Sequence, residues 1–194
     1  MTARGAEPGD DGRLRCPWAL SAPEYVDYHD EEWGSPVTSD EAMFERMALE
    51  GFQSGLSWLV ILRKRPAFRA AFSDFDIATV ASYDEHDVDR LLGDAGIVRN
   101  RAKIEATIAN ARAAAELAGG LLAHVQSFAP ATPHPAPATL ADVRSQSVES
   151  VALAKDLRRR GFRFVGPTTL YALMQATGMV DDHLADCWRR VSAR

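Results

Sequence analysis

Only two cysteines occur in the 194 residues, Cys16 and Cys187, and they stand near opposite ends of the chain. Each has a histidine nearby: His29 follows Cys16 by thirteen residues, and His183 precedes Cys187 by four. If these four side chains act together, the two ends of the chain must meet, and that closure constrains every topology open to it. In a reducing compartment a disulfide is disfavoured. Two thiolates and two imidazoles instead make a closed tetrahedral zinc site, which is structural because no coordination position is left open. On a helical turn the four-residue spacing puts His183 and Cys187 on one face. The alternative is two unrelated buried thiols, with histidines that share no centre. His86, His124 and His134 lie in polar or proline-rich contexts and need no special role.

The pattern between these ends predicts an all-α chain. Thr38-Ser-Asp-Glu41 reads as a capping box opening a helix, with Met43, Phe44 and Met47 starting its apolar stripe. That helix runs through Glu50 toward Trp58, with Gly51 and Gly55 as possible breaks. Further helices are predicted over 87–92, 103–117, 147–160 and 168–177. Residues 128–139 hold Pro130, Pro133, Pro135 and Pro137 and read as an extended surface connector. Residues 1–14 read as a mobile polar tail, and 15–194 as one helical domain. No apolar run approaches the roughly 18 residues that a membrane helix needs, and no signal core opens the chain, so the expected location is cytoplasmic.

The net charge of −5 argues against a nucleic-acid partner only until its distribution is examined. Residues 1–50 hold twelve acidic and four basic residues, whereas 51–194 hold fifteen and eighteen, a net of +3. Basic residues gather at Arg63–Arg65, at Arg99, Arg101 and Lys103, and at Arg158–Arg160 with Arg163. Each cluster alone suits a solvated helix face; together they permit a DNA contact. Two segments read as helix–turn–helix corners that could hold a phosphate, residues 94–103 and, more strongly, 160–169. In the second, Gly166 permits close backbone approach, and Pro167 suits the first turn of a helix whose free N–H groups face outward.

Trp18, Tyr25, Tyr28, Trp33 and Trp58 crowd into residues 16–58. Glu50 sits among them in the apolar run Ala48-Leu-Glu-Gly-Phe52, where a carboxylate needs a partner or a task. Stacking faces with one acceptor suit a flat, cationic heteroaromatic ligand. An ordinary aromatic core, with Glu50 paired to an arginine, is the competing reading.

Six stretches in this order carry a resemblance: Arg15–Trp18, Tyr25–Gly34, Leu49–Trp58, Asp94–Ile97, Arg160–Gly166 and Val180–His183. Over about 16–187 the chain resembles DNA-3-methyladenine glycosylase I of the helix–hairpin–helix DNA glycosylase superfamily. The resemblance implies that Cys16, His29, His183 and Cys187 bind a structural zinc ion joining the N- and C-terminal segments. It implies that Glu50 reads the flipped base as the catalytic carboxylate, that Trp18 and Trp58 stack on it, and that Tyr28 and Trp33 line its pocket. Gly161, Gly166 and Thr168 fall on the phosphate-anchoring hairpin.

The implied activity is hydrolysis of 3-methyladenine from alkylated double-stranded DNA by a monomer. Strand cleavage is not expected, because Thr168 stands where bifunctional relatives carry a lysine. Asp181 departs from the family, which typically has asparagine there; it reads either as a stabiliser of the oxocarbenium-like sugar or as a helix N-cap. Leu122–Phe128 lacks the usual tryptophan. The alternatives are a zinc-stabilised DNA-binding module without catalysis and a metallohydrolase; the closed ligand set opposes the latter.

Overall fold

The computed structural model describes residues 5–190 and contains nine α-helices there, so the all-α expectation holds at the level of secondary structure. The chain divides into two compact units, where the sequence suggested one domain over 15–194. The first comprises residues 5–36, 129–145 and 174–190, and the second 37–128 and 146–173.

The second unit is built on α2 (Asp40–Gln53), α3 (Trp58–Ala71), α4 (Ile77–Ser82), α5 (Glu85–Gly93), α6 (Arg101–Ala115), α7 (Leu121–Gln126) and α8 (Val148–Arg159). The start of α2 is capped by Ser39, whose hydroxyl accepts from Ala42 N at 3.1 Å, one residue later than the predicted Thr38 cap. Met43, Phe44, Met47 and Phe52 form its buried stripe. Phe44, Phe52, Phe68, Phe72 and Phe75 pack as a ring cluster, with Phe52 and Phe68 centroids 4.7 Å apart. Each such ring contributes about 1.5–3 kcal/mol by leaving water. Helix α4 lies against α6, where the small buried residues Ala106, Ala111 and Ala114 allow close approach. Arg112 of α6 donates to Ala81 O and Tyr83 O, satisfying carbonyls at the end of α4.

The first unit has little regular structure. Residues predicted as part of a tail instead form a short antiparallel ladder, Glu7–Pro8 with Leu14–Arg15. A 3₁₀ turn at Pro17–Ser21, α1 (Pro23–Asp27) and a wide π-type turn at Tyr28–Glu32 follow. The proline-rich connector is non-helical over 129–138 and mostly exposed; Pro130 and His134 are half-buried and Pro137 is buried, its carbonyl accepting from Ala185 N at 2.8 Å. Helix α9 (Pro167–Ala176) ends the regular structure. The predicted helical turn around His183 and Cys187 is absent: residues 181–190 are a run of turns, closed by Cys187 N on Leu184 O. Trp188 N donates to Leu14 O at 2.9 Å, which ties this segment to the N-terminal ladder.

Candidate functional site

In the first unit the chain's two ends meet at sulfur and nitrogen. The ligand atoms of Cys16, His29 and Cys187, all buried, lie within 4.8 Å of one another and can hold a metal ion. Cys187 Sγ is 3.3 Å from His29 Nε2, and Leu184 N donates to Cys16 Sγ. The Cys187 thiol is pulled down to about 4, first by its hydrogen bond with Cys16 and then by His29. Cys16 is pushed up, by that same bond and by burial. One member of the pair is thus readily a thiolate, the form that binds metals.

His183 stands beside this group, its ring centroid 5.0 Å from that of His29. Both histidines are oriented by carboxylates. His29 Nδ1 meets Asp30 Oδ1 at 2.8 Å, and His183 Nδ1 meets Asp181 Oδ1 at 2.9 Å. A carboxylate only accepts, so each Nδ1 carries a proton, which leaves Nε2 as the ring atom that would face a metal. In His183 that Nε2 is buried and makes no hydrogen bond. Gly34 makes room: its φ is +81°, and a Cβ there would sit 2.8 Å from His183 Cε1.

Arg15 and Asp30 of the supporting shell carry no signal in spacing or composition. Arg15, almost fully buried, grips Asp30 through Nε and Nη2 and also pairs with Asp11. Burial would raise the Asp30 carboxyl, but Arg15 and His29 outweigh it and hold it down. Asp181 behaves likewise: burial opposes its charge, while His183 and Arg190 hold it ionised. Its Oδ1 also accepts from His183 N in a tight turn, not at a helix start.

The predicted aromatic residues of this unit pack onto the two histidines. Trp18 meets Trp33 edge-on at 5.2 Å, His29 at 5.3 Å and Tyr25 at 5.8 Å, with Tyr28 tilted at 6.4 Å. Trp33 in turn sits 4.6 Å from His183. Trp18 and Trp33 thus lie directly against the candidate metal group, with Tyr25 and Tyr28 beyond Trp18.

In the second unit Glu50 lies near the end of α2, 7% exposed, and accepts no hydrogen bond from a described residue. Burial pushes its carboxyl up to about 8, against the opposing pull of Arg46 one turn earlier. Trp58 opens α3, half-buried. The α8–α9 connection places Gly161 at φ +94° in open space, and Thr168, exposed, in the first turn of α9. A Cβ on Gly166 would meet Arg158 Nη2 at 3.6 Å, an ordinary contact, so the protein itself does not demand glycine there. At the other predicted corner, the Asn100 side chain already caps Lys103 N, and Lys64 fills the carbonyls of Ala95 and Gly96.

A family model for methyladenine glycosylases matches residues 18–190. The chain belongs to this family. It is 45% identical over 177 residues to DNA-3-methyladenine glycosylase 1 of Escherichia coli (strain K12), covering 89% of this chain and 95% of that one. A crystal structure of 3-methyladenine DNA glycosylase I superposes on this family member with a TM-score of 0.87 at 43% identity, covering 91% of this chain and all of that one. A structure described as showing the basis of 3-methyladenine recognition by the Staphylococcus aureus enzyme superposes equally well, TM-score 0.87, at 33% identity over 93% of this chain and 98% of that one.

Proposed function

We infer that this chain is a DNA-3-methyladenine glycosylase, which hydrolyses the N-glycosidic bond of 3-methyladenine in alkylated DNA and leaves an abasic site. Glu50 carries the reading: a buried carboxyl that takes no hydrogen bond from a described residue, and whose proton affinity burial raises, is an acceptor suited to a cationic partner. 3-Methyladenine in DNA is such a cation, flat and already a good leaving group. Extruding a damaged base from the stack costs a few kcal/mol, less than for a paired normal base. The N9–C1′ bond breaks with its electron pair going to the base, which departs neutral. A water then bonds to C1′ and loses its proton. Glu50 fixes the amino group and ring nitrogen of the flipped base, and Trp58, in the same unit, offers a stacking face.

The α8–α9 connection reads as a helix–hairpin–helix element. The exposed first turn of α9 and the open surroundings of Gly161 support it, since N–H groups at a helix start bind phosphate. Thr168 offers no amine to form a Schiff base, so borohydride should trap no covalent DNA adduct. The donor set fits zinc: two thiols, with two imidazoles that Asp30 and Asp181 hold by Nδ1, leaving Nε2 as the ring atom that would face a metal. Zinc would be held by Cys16, His29, His183 and Cys187 and would supply structure, not chemistry. Asp181 is engaged with His183, which favours a supporting role over sugar stabilisation.

Release of free 3-methyladenine from methylated DNA tests the reading. Wild type should release it, and folded Glu50→Ala should lose most activity. A folded, zinc-loaded wild type that binds DNA and releases nothing would leave a DNA-binding module.

A further inference from the structure

Helix α6 carries a buried polar face that its alanine-rich remainder does not need. Lys103, Thr107 and Asn110 are 8%, 3% and 5% exposed. Lys103 and Asn110 are seven residues apart, two turns along one face. Thr107 turns back on its own helix, donating to Lys103 O at 3.0 Å. The other two reach outward, and each ends on backbone of a different segment.

Lys103 Nζ donates to Phe52 O at 2.8 Å and Ser54 O at 2.6 Å, where α2 ends two to four residues beyond Glu50. Asn110 clamps Arg163 from both sides: Nδ2 donates to Arg163 O at 3.0 Å, and Oδ1 accepts from Arg163 N at 2.7 Å. The following residue, Phe164, holds φ at +55° and is 43% exposed. A phenylalanine keeps that left-handed conformation only where its neighbours over-determine it. Asn110 fixes the residue before it, and buried Val165 fixes the residue after. Gly51 lies close beside it, since a Cβ there would be in ordinary contact with Phe164 Cβ at 3.6 Å.

We propose that Asn110 is a positioning residue for DNA capture: its two hydrogen bonds to Arg163 hold the 160–166 turn in the shape that presents the start of α9 to a phosphate. Lys103 performs the matching task for the end of α2. A side-chain amide suits this work because it supplies one donor and one acceptor in a plane, matching the N–H and C=O of one residue. Aspartate would keep only the acceptor, and alanine neither. Buried hydrogen bonds of this kind are costly to leave unmade, so their loss reshapes the loop.

The inference rests on the hairpin reading given above, and the experiment separates the two. Affinity for a duplex carrying an abasic-site analogue, and affinity for free 3-methyladenine followed by tryptophan fluorescence, are measured on Asn110→Ala, Asn110→Asp and Thr168→Glu. All measurements are made well below each variant's Tm. Asn110→Ala should weaken duplex binding about tenfold with free-base affinity retained. Asn110→Asp should fall between it and wild type, and stands in for it if the alanine variant does not fold. Thr168→Glu, which places negative charge where the phosphate is expected, should also weaken the duplex alone. Unchanged duplex binding by the Asn110 variants alongside weakened Thr168→Glu would overturn the positioning role. Unchanged binding by Thr168→Glu would remove the hairpin reading beneath it. Equal loss of duplex and free-base affinity in Asn110→Ala would reduce Asn110 to a general stabiliser and end the proposal.

Discussion

Glu50 makes opposite demands on folding and on chemistry, and pH separates them. Its folded-state value of about 8 lies above the ordinary 4.5, so the folded protein binds the proton more tightly than the unfolded chain. Stability is therefore full below 4.5 and declines as pH rises toward 8. Activity runs the other way, because the ionised carboxylate is the form that meets a cationic base. The kcat/KM for base release should rise with pH and level off above about 8, the free-enzyme value of Glu50. Glu50→Gln should flatten both profiles and be slow throughout. A wild-type rate profile without that rise would show that Glu50 acts neutral or not at all. Asp30 offers a second test at this scale, because Arg15, His29 and Trp188 all converge on its carboxylate. Asp30→Asn should weaken zinc binding by roughly 10–100-fold in competition with a chromophoric chelator, as loss of a ligand-orienting carboxylate does elsewhere. Unaltered affinity would leave Asp30 as a partner of Arg15 only.

Individual helices show where sequence patterning carries information and where it stops. Helix α2 was readable because its apolar stripe is long and begins at a capping residue; it passes through Gly51 unbroken and ends at Gln53, short of the expected reach toward Trp58. Helix α3 was not among the expected helices, since Pro66 stands in its interior; one missing N–H inside fourteen residues is tolerated when Ile61 and Phe68 are buried. Helices α4 and α7 are six residues each, too short to show a period. Cysteine and histidine spacing pointed to the Cys16, His29 and Cys187 group that could hold a metal, and an apolar neighbourhood pointed to Glu50 as a buried carboxylate. Asp30, Asp181 and Asn110 could not be found this way, since their roles depend on partners set by the fold; Asn110 and Arg163 are 53 positions apart. The N-cap of α2 gives this scale its prediction. Ser39→Ala should cost about 1 kcal/mol in denaturant titration with an unchanged m-value. Base release should persist, because the cap lies at the opposite end of α2 from Glu50. A shift within error would mean that water satisfies Ala42 N equally well.

For the whole molecule, the uneven distribution of regular structure decides what a metal ion is for. The second unit has helices packed around a phenylalanine cluster and a conventional buried core. The first has one short helix, a two-residue ladder, turns and the end of α9, and its buried cluster around the cysteines is small: Cys16, Leu184 and Cys187, flanked by Ala6, Trp18 and Val143. A unit with so little regular structure gains from another source of stability, and small domains commonly find it in a metal. An ion bound only by the folded state adds RT ln(1 + [L]/Kd), about 4 kcal/mol when the free ion is a thousandfold above Kd. Chelation should therefore act unevenly. Amide exchange should rise in residues 5–36 and 174–190, while α2 and α6 keep their protection and the far-UV helical signal is largely retained. Cys187→Ser should reproduce the pattern without chelator, which ties it to the ligand and not to the reagent. Faster exchange spread evenly over both units would mean that the ion stabilises one cooperative whole. No change on verified zinc removal would mean that hydrogen bonds such as Trp188 N to Leu14 O and Ala185 N to Pro137 O already hold the first unit together.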